Sequence, residues 1–433
     1  MRRRPGHGPG DAGRSLRGHR PDHGGQPGAG RHRLRHRRLT DPTAAGALAA
    51  AHRHYLDHAS TSPARPEVVE AVAAWLTGPA AADPARVHTE GRMARVALEE
   101  AREAVAALVG ARSREIVFTS GATEAINAAA WGACRDRPGA VLCAGVEHSA
   151  VRDASGRMAP VVEVPVDRLG RIHPQAVLDS GARARSEHGA VALVHCQWAN
   201  HEVGTVQPVA EVVEAAHSLG ALVHVDAAAG CGHVDVDFGA CGADLMSVSA
   251  HKLGGPKGAG ALVVRRGLRF DPLVVGGDQE RARRGGMENV PALVGFGVAA
   301  TNLAAAGLGA ESDAAAARSA RVLDLAREVD AVEVYGDPVA GPDHRAPHIV
   351  CLGVGGVEAE AVVLALDQAG IAVHSGSACS SESLEPSPVL AAMGVDADRS
   401  VRVSVGWSTT DPDIDALVAA FPDVVGRLRA LGA

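Results

Sequence analysis

Residues 221–265 read ALVHVDAAAGCGHVDVDFGACGADLMSVSAHKLGGPKGAGALVVR. Three short apolar runs lie in this stretch, at 221–226, 244–249 and 260–265, each too short for a stable helix and each rich in Val and Leu. Runs of that length and near-continuous apolar character are what a sheet covered on both faces requires. Outward from here the same signal recurs at 115–119, 140–144, 161–166 and 190–196, with helical periodicity between the runs, as at 94–109, 122–133 and 208–219. Strands alternating with helices predict βαβ units, a largely parallel sheet and an α/β fold. Ligands of such sheets bind at the carboxyl ends of the strands.

Beyond Val290-Pro291 an Ala-rich helical region runs to about Val329, broken near 305–310, and new β and α segments follow over 331–433. This predicts a large domain over 55–308 and a smaller C-terminal domain over 309–433. The first 54 residues are different. They hold twelve Arg and three Asp, many Gly and His, and few aliphatic residues, so they cannot bury enough apolar surface to offset the entropy of ordering. A disordered extension is expected over 1–54, either a tail without a role, even a wrongly chosen start of translation, or a basic arm for nucleic acid. The missing aromatic residues oppose the arm, and no apolar h-region marks a signal peptide.

The whole chain carries a net charge of -7. Removing the +9 of residues 1–54 leaves -16 on residues 55–433, which argues against a nucleic-acid groove there. No stretch approaches the roughly 18 unbroken apolar residues of a membrane span. The seven cysteines are odd in number and lack C-x-x-C spacing, so neither a disulfide framework nor a metal site is expected, and a reducing, cytoplasmic setting fits.

Of the 43 basic residues only Lys252 and Lys257 are lysines. A sequence that writes nearly every cation as Arg poses the question of what an ammonium does there that a guanidinium cannot. Lys252 follows a strand end and precedes a Gly-rich turn, so its amine can enter the crevice, and a partly desolvated amine is a nucleophile for carbonyl carbon. In an ordinary sequence a surface loop lysine would be the commoner reading. Asp226 closes a buried strand, where it caps a turn or faces the same crevice. Thr119-Ser120-Gly121-Ala122-Thr123-Glu124 joins a strand to a helix, and free N–H groups there suit a phosphate, or simply an N-cap. His148, after Glu147, is a flat polar ring at another strand end, and it stacks on a planar ligand or caps a loop. Cys379, in Ser375-Gly376-Ser377-Ala378-Cys379-Ser380-Ser381, reads as an exposed thiol among small polar residues, while the other six cysteines read as core. Arg402 lies in an alternating strand, where it clamps a carboxylate or faces solvent.

Taken together, Tyr55 to Thr61, Thr119 to Glu124, Glu147-His148, His224-Val225-Asp226, Ser249 to Lys252, Gly258 to Val264, Ser375 to Cys379, Leu384 to Ser387 and Val401 to Gly406 resemble the cysteine desulfurases. These are class V, fold-type I pyridoxal phosphate enzymes, and the short spacing from Cys379 to Leu384 is similar to the iron–sulfur-assembly and nitrogen-fixation group. The resemblance runs over nearly all of 55–433. It implies a large, mostly parallel seven-stranded sheet domain with a smaller α+β domain that carries the cysteine loop. It also implies that Lys252 bonds pyridoxal 5'-phosphate, Asp226 pairs its ring nitrogen and His148 stacks on its ring. Ala122, Thr123, Ser249 and His251 would hold the phosphate, Arg402 the carboxylate of L-cysteine, and Cys379 would take the sulfur as a persulfide. A homodimer and a sulfur-acceptor protein or small molecule complete what it implies.

Four departures from the family pattern stand out. His201 replaces an Asn and Ala229 replaces a Gln, both expected to bond the cofactor's phenolic oxygen, which leaves His201 to donate alone. Met287 stands where a Thr reaches the partner's phosphate, and a thioether cannot donate that bond. Asp83 replaces an Asn and adds negative charge. These keep two alternatives open: a selenocysteine lyase or another class V aminotransferase-like enzyme, and a weakly active scaffold for sulfur carriers.

Overall fold

A computed structural model of the chain describes residues 53–78, 82–375 and 386–432. The described residues belong to one unit. The chain enters through β1 (His54–Tyr55) and then lays down seven strands that pair in one sheet: β2 (Ile116–Thr119), β3 (Ala140–Ala144), β4 (Val161–Val164), β5 (Val191–Gln197), β6 (Leu222–Asp226), β7 (Leu245–Ser249) and β8 (Gly260–Val264). The order is β2-β8-β7-β6-β5-β3-β4, and only β8 runs against its neighbours. All seven expected strands are present, with ends that shift by one or two residues. Every position of β2, β3, β5, β6, β7 and β8 is buried, because helices cover both faces.

One face of this sheet explains where a ligand sits. Successive side chains of a strand alternate in direction, so residues two apart share a face. Leu193, His195 and Gln197 on β5 register with Leu222, His224 and Asp226 on β6. The lowest row, Leu193 and Leu222, packs into the apolar cluster beneath the helix Ala122–Cys134 together with Leu245 of β7, which pairs with His224. The middle row is polar: the His195 and His224 Nδ1 atoms lie 2.9 Å apart, and His224 Nε2 is 2.7 Å from Ser247 Oγ. Burial holds His195 down to about 3 and His224 well below the usual imidazole range, so both rings are neutral and one donates to the other. The top row, Gln197 and Asp226, reaches the carboxyl ends of the strands.

The remaining strands are β9 (Val332–Tyr335), β10 (Ile349–Val354), β11 (Ile371–Ala372), β12 (His374–Ser375) and β13 (Ser400–Ser404). Four of them form an antiparallel sheet ordered β12-β13-β10-β9, while β11 pairs in parallel with β1. A second apolar core gathers Val350, Leu352, Val401 and Val403 of this sheet with Val322, Leu366 and Phe421 from flanking helices, and it includes Leu56 from the chain entrance. The Ala-rich helical region is two helices, Val290–Ala306 and Leu308–Glu328, separated at Gly307, whose φ of +76° suits glycine. The strand around Arg402 is not half-exposed as its alternating sequence suggested. β13 lies between β12 and β10 and all five of its residues are buried, so the polar positions face the protein interior.

Candidate active site

The carboxyl ends of the large sheet meet the N-terminus of the helix Ala122–Cys134 at a cavity of about 590 Å³. Nine of the sequence-nominated residues line it: Ala122, Thr123, His148, His201, Asp226, Ser249, His251, Lys252 and Arg402. The tenth, Cys379, lies outside the described residues, as do Leu384 and Glu385 and the 1–52 part of the N-terminal extension. The other six cysteines are buried, and burial pushes the Cys134 and Cys231 thiols up to about 11 and 12 and the Cys351 thiol higher still, away from nucleophilic use.

The first turn of the helix Ala122–Cys134 follows Gly121 and has no side-chain cap, which leaves backbone N–H groups directed at the cavity. β8 comes so close to this turn that a Cβ on Gly260 would stand 2.6 Å from Gly121 Cα. Ser249 ends β7 with its hydroxyl buried and without a hydrogen-bond partner. A buried hydroxyl left unpaired costs free energy, so the site suits an anion that accepts from it. His251 joins this end, its Nδ1 3.1 Å from Thr61 Oγ1, and burial, with Lys252 and Lys257 adding to it, holds its ring down to about 4. These donors fit a phosphate group.

Asp226 caps the turn after β6 through one oxygen, Oδ1, which accepts from Ala228 N at 3.0 Å. Capping and facing the cavity are therefore combined in one residue. Glu147, fully buried nearby, accepts from Gln197 N at 2.8 Å through Oε1, and Oε2 has no partner. Burial and then the Asp226 charge push its carboxyl up to about 8. His148 caps the helix Ser149–Met158, its Nδ1 accepting from Ala150 N at 3.1 Å, which places the proton of a neutral ring on Nε2. Its ring meets that of His201 edge to face at 5.0 Å. The capping role does not exclude stacking on a ligand.

Arg402 is 3% exposed. Its Nη2 donates to Asp57 Oδ1 at 2.9 Å and to Ser60 Oγ at 2.7 Å, and its Nη1 donates to the His201 carbonyl at 2.9 Å. Nε is buried without a partner. The guanidinium thus keeps donors for a carboxylate in the cavity. Asp57, Ser60, Gln197 and Glu147 did not emerge as individual site residues from the sequence. Asp57 and Ser60 lay within the Tyr55 to Thr61 motif, but only the fold brings them to Arg402. Lys257 also lines the cavity, so both lysines of the chain stand at one site.

The departures separate spatially. His201 and Ala229 line the cavity. Met287 does not, and it is 66% exposed, beyond Arg284, whose Nε donates to Glu124 Oε1 at 2.9 Å. Asp83 is paired with Arg86 at 3.0 Å and accepts from Ala85 N, so its charge is used locally.

Residues 54–417 match the family model described as aminotransferase class-V. The chain is 38% identical over 387 residues to the cysteine desulfurase IscS 1 of Archaeoglobus fulgidus, covering 87% of this chain and 98% of the relative. The chain belongs to the cysteine desulfurases of the class V aminotransferase family. A solved NifS-like protein from Rickettsia africae superposes with a TM-score of 0.78 at 27% identity, covering 87% of this desulfurase and all of that chain. A structure of SspA in complex with cysteine superposes with a TM-score of 0.70 at 28% identity, covering 82% and 99%. The desulfurase therefore shares its large, mostly parallel seven-stranded sheet with fold-type I relatives, as the resemblance implied. No single helix among the described residues is long and apolar enough to cross a membrane.

Proposed function

We propose that this desulfurase converts L-cysteine to L-alanine with pyridoxal 5'-phosphate and stores the sulfur as a persulfide on Cys379. The observation that carries this reading is the single cavity shared by Lys252, Asp226, the open N-terminus of the helix Ala122–Cys134 and Arg402. When bound, the cofactor supplies an electron sink for the charge left at the α-carbon after proton loss. Lys252 would be the amine that holds the cofactor and the base that carries the α-proton. Asp226 would keep a proton on the ring nitrogen, and His148 would stack on the ring. Backbone N–H groups at Ala122 and Thr123, the Ser249 hydroxyl and His251 would hold the phosphate, and His201 would bond the phenolic oxygen. Arg402 orients the substrate carboxylate. Cys379 Sγ then forms a bond to the substrate sulfur as the Cβ–S bond breaks with its electron pair going to carbon, and protonation there completes alanine.

The same reading takes the break at Gly307 as the boundary between a domain over 55–308 and one over 309–433. It also takes the enzyme as a cytoplasmic homodimer that passes sulfur to an acceptor protein or small molecule. The test is turnover of L-cysteine by the purified holoenzyme with alanine quantified, and persulfide located by alkylation and mass spectrometry. Cys379→Ser should keep the visible absorption of the cofactor and lose persulfide and sulfide release. Undiminished release by that variant overturns the role of Cys379. Lys252→Ala should lose the absorption of the bonded cofactor, and an unchanged spectrum overturns its role. Because His201 and Ala229 both line the cavity, L-selenocysteine belongs in the same assay, and a strong preference for it makes the enzyme a selenocysteine lyase.

A further inference from the structure

His201 faces the cavity, and the residue after it is the more unusual of the two. Glu202 is 3% exposed, and its two oxygens point at different parts of the molecule. Oε2 accepts from Ser387 Oγ at 2.6 Å, and Oε1 lies 3.6 Å from His201 Nε2. Ser387 caps the helix Pro388–Met393 and follows Cys379 by eight residues. The His201 segment is fixed from the other side by Arg402, which takes its carbonyl, and by Asn200, whose Oδ1 accepts from Glu202 N and Val203 N at 2.8 Å.

We propose that Glu202 is a positioning residue that sets the tautomer of His201, and thereby decides whether the ring nitrogen turned away from Glu202 donates or accepts a hydrogen bond. The inference rests on the desulfurase reading of the cavity. The 3.6 Å separation is longer than a hydrogen bond, and shortening it by about 0.5 Å brings it into range. When Glu202 is a carboxylic acid, its O–H donates to His201 Nε2, which leaves the ring proton on Nδ1 as a donor. When Glu202 is ionised, the ring proton sits on Nε2 and points at the carboxylate, so Nδ1 accepts. Between the two states the pair loses one proton to solvent, and the proton that remains on the His201 ring changes nitrogen.

The surroundings keep this pair near balance. Burial pushes the Glu202 carboxyl up to about 7, opposed by the Ser387 hydrogen bond and by the charges of Arg402 on β13 and Arg152 on the helix Ser149–Met158. Among the described residues Cys351 on β10 also feels the Glu202 charge, and its thiol, pushed far up by burial, stays protonated. Burial, then His148, Lys252, Arg402 and Arg152, holds the His201 imidazole well below its usual range, so the ring stays neutral and the choice is one of tautomer. An Asn at position 201 has no tautomers and offers no such choice.

The experiment is a pH titration of the holoenzyme's visible absorption, with alanine formation measured in parallel. The wild type should show a transition near pH 7. Ser387→Ala removes a hydrogen bond to the ionised form and should raise that midpoint by about one pH unit. Glu202→Gln should abolish the transition. His201→Asn should also abolish it, and adding Glu202→Gln to that variant should then change nothing. A transition that persists in Glu202→Gln, or a midpoint unmoved in Ser387→Ala, overturns the proposal. If Glu202→Gln does not yield folded holoenzyme, Ser387→Ala and His201→Asn decide it. Normal alanine formation with an unmoved transition defeats only the role of Glu202, whereas no alanine from the wild type at any pH defeats the desulfurase reading itself.

Discussion

At one end of the cavity the anion donors are backbone N–H groups and a hydroxyl held by neighbouring strands, whereas at the other a single guanidinium is held by Asp57, 345 residues away in the chain. The first end joins a strand, a Gly-containing turn and a helix start at 116–122 to the end of β7 much later in the chain, and both parts belong to the large sheet. The second requires β13 to insert between β12 and β10, and the chain entrance to reach it. The difference teaches that the phosphate end belongs to the large sheet's own folding, while the carboxylate end depends on segments from both extremities of the described chain.

The largest effect that sharpens this contrast is expected at Arg402. Replacing it with Met removes the charge proposed to bind the substrate carboxylate, and kcat/KM for L-cysteine should fall about 100-fold, since charge-assisted bonds of about 3 kcal/mol would be lost. The absorption of the bonded cofactor should stay, because no phosphate donor is touched. Loss of cofactor together with activity would mean that the two ends are not separable in the way their construction suggests.

A second test lies behind the cavity, at the buried Glu147, whose backbone partner Gln197 lines it. Its carboxyl is raised from 4.5 to about 8 in the folded protein, chiefly by burial, so between those pH values the folded state holds a proton that the unfolded state has lost. Stability from this group therefore declines as pH rises through that window, by up to about 1.4 kcal/mol per pH unit. Glu147→Gln should flatten that slope when urea midpoints at pH 5.5 and 7.5 are compared. A slope equal to the wild type's would place the ionisation elsewhere.

How much of the site was legible in the sequence follows the same division. The strands ending at Asp226 and Ser249 were readable from unbroken apolar runs, and the turn at Gly121 from its place between a strand and a helix. Lys252 was singled out by the scarcity of lysine. Arg402 was recognised by resemblance, yet its burial and its partners were not, because an alternating strand reads as half-exposed until both its neighbours are known. The Glu202 to Ser387 bond spans 185 residues and carries no local signature. The polar contact of His195, His224 and Ser247 was hidden for another reason: each residue lies on a separate strand, and only the pairing of those strands brings them together.

The smallest expected effect lies at Ser249, and there it is the sign that discriminates. Its hydroxyl is buried and unpaired in the protein alone, so Ser249→Ala removes a polar group that contributes nothing to folding and costs something to bury. The cofactor-free variant should be as stable as the wild type or slightly more so. With cofactor bound, the same hydroxyl gains an acceptor, and its loss should weaken pyridoxal phosphate affinity by roughly 3- to 10-fold, the equivalent of one hydrogen bond. Fluorescence titration of the cofactor and thermal melts with and without it measure the two halves. Opposite signs mark a hydroxyl placed for the ligand. A variant destabilised equally in both forms would show that Ser249 serves the sheet, and would leave the phosphate end to the helix N-terminus and His251.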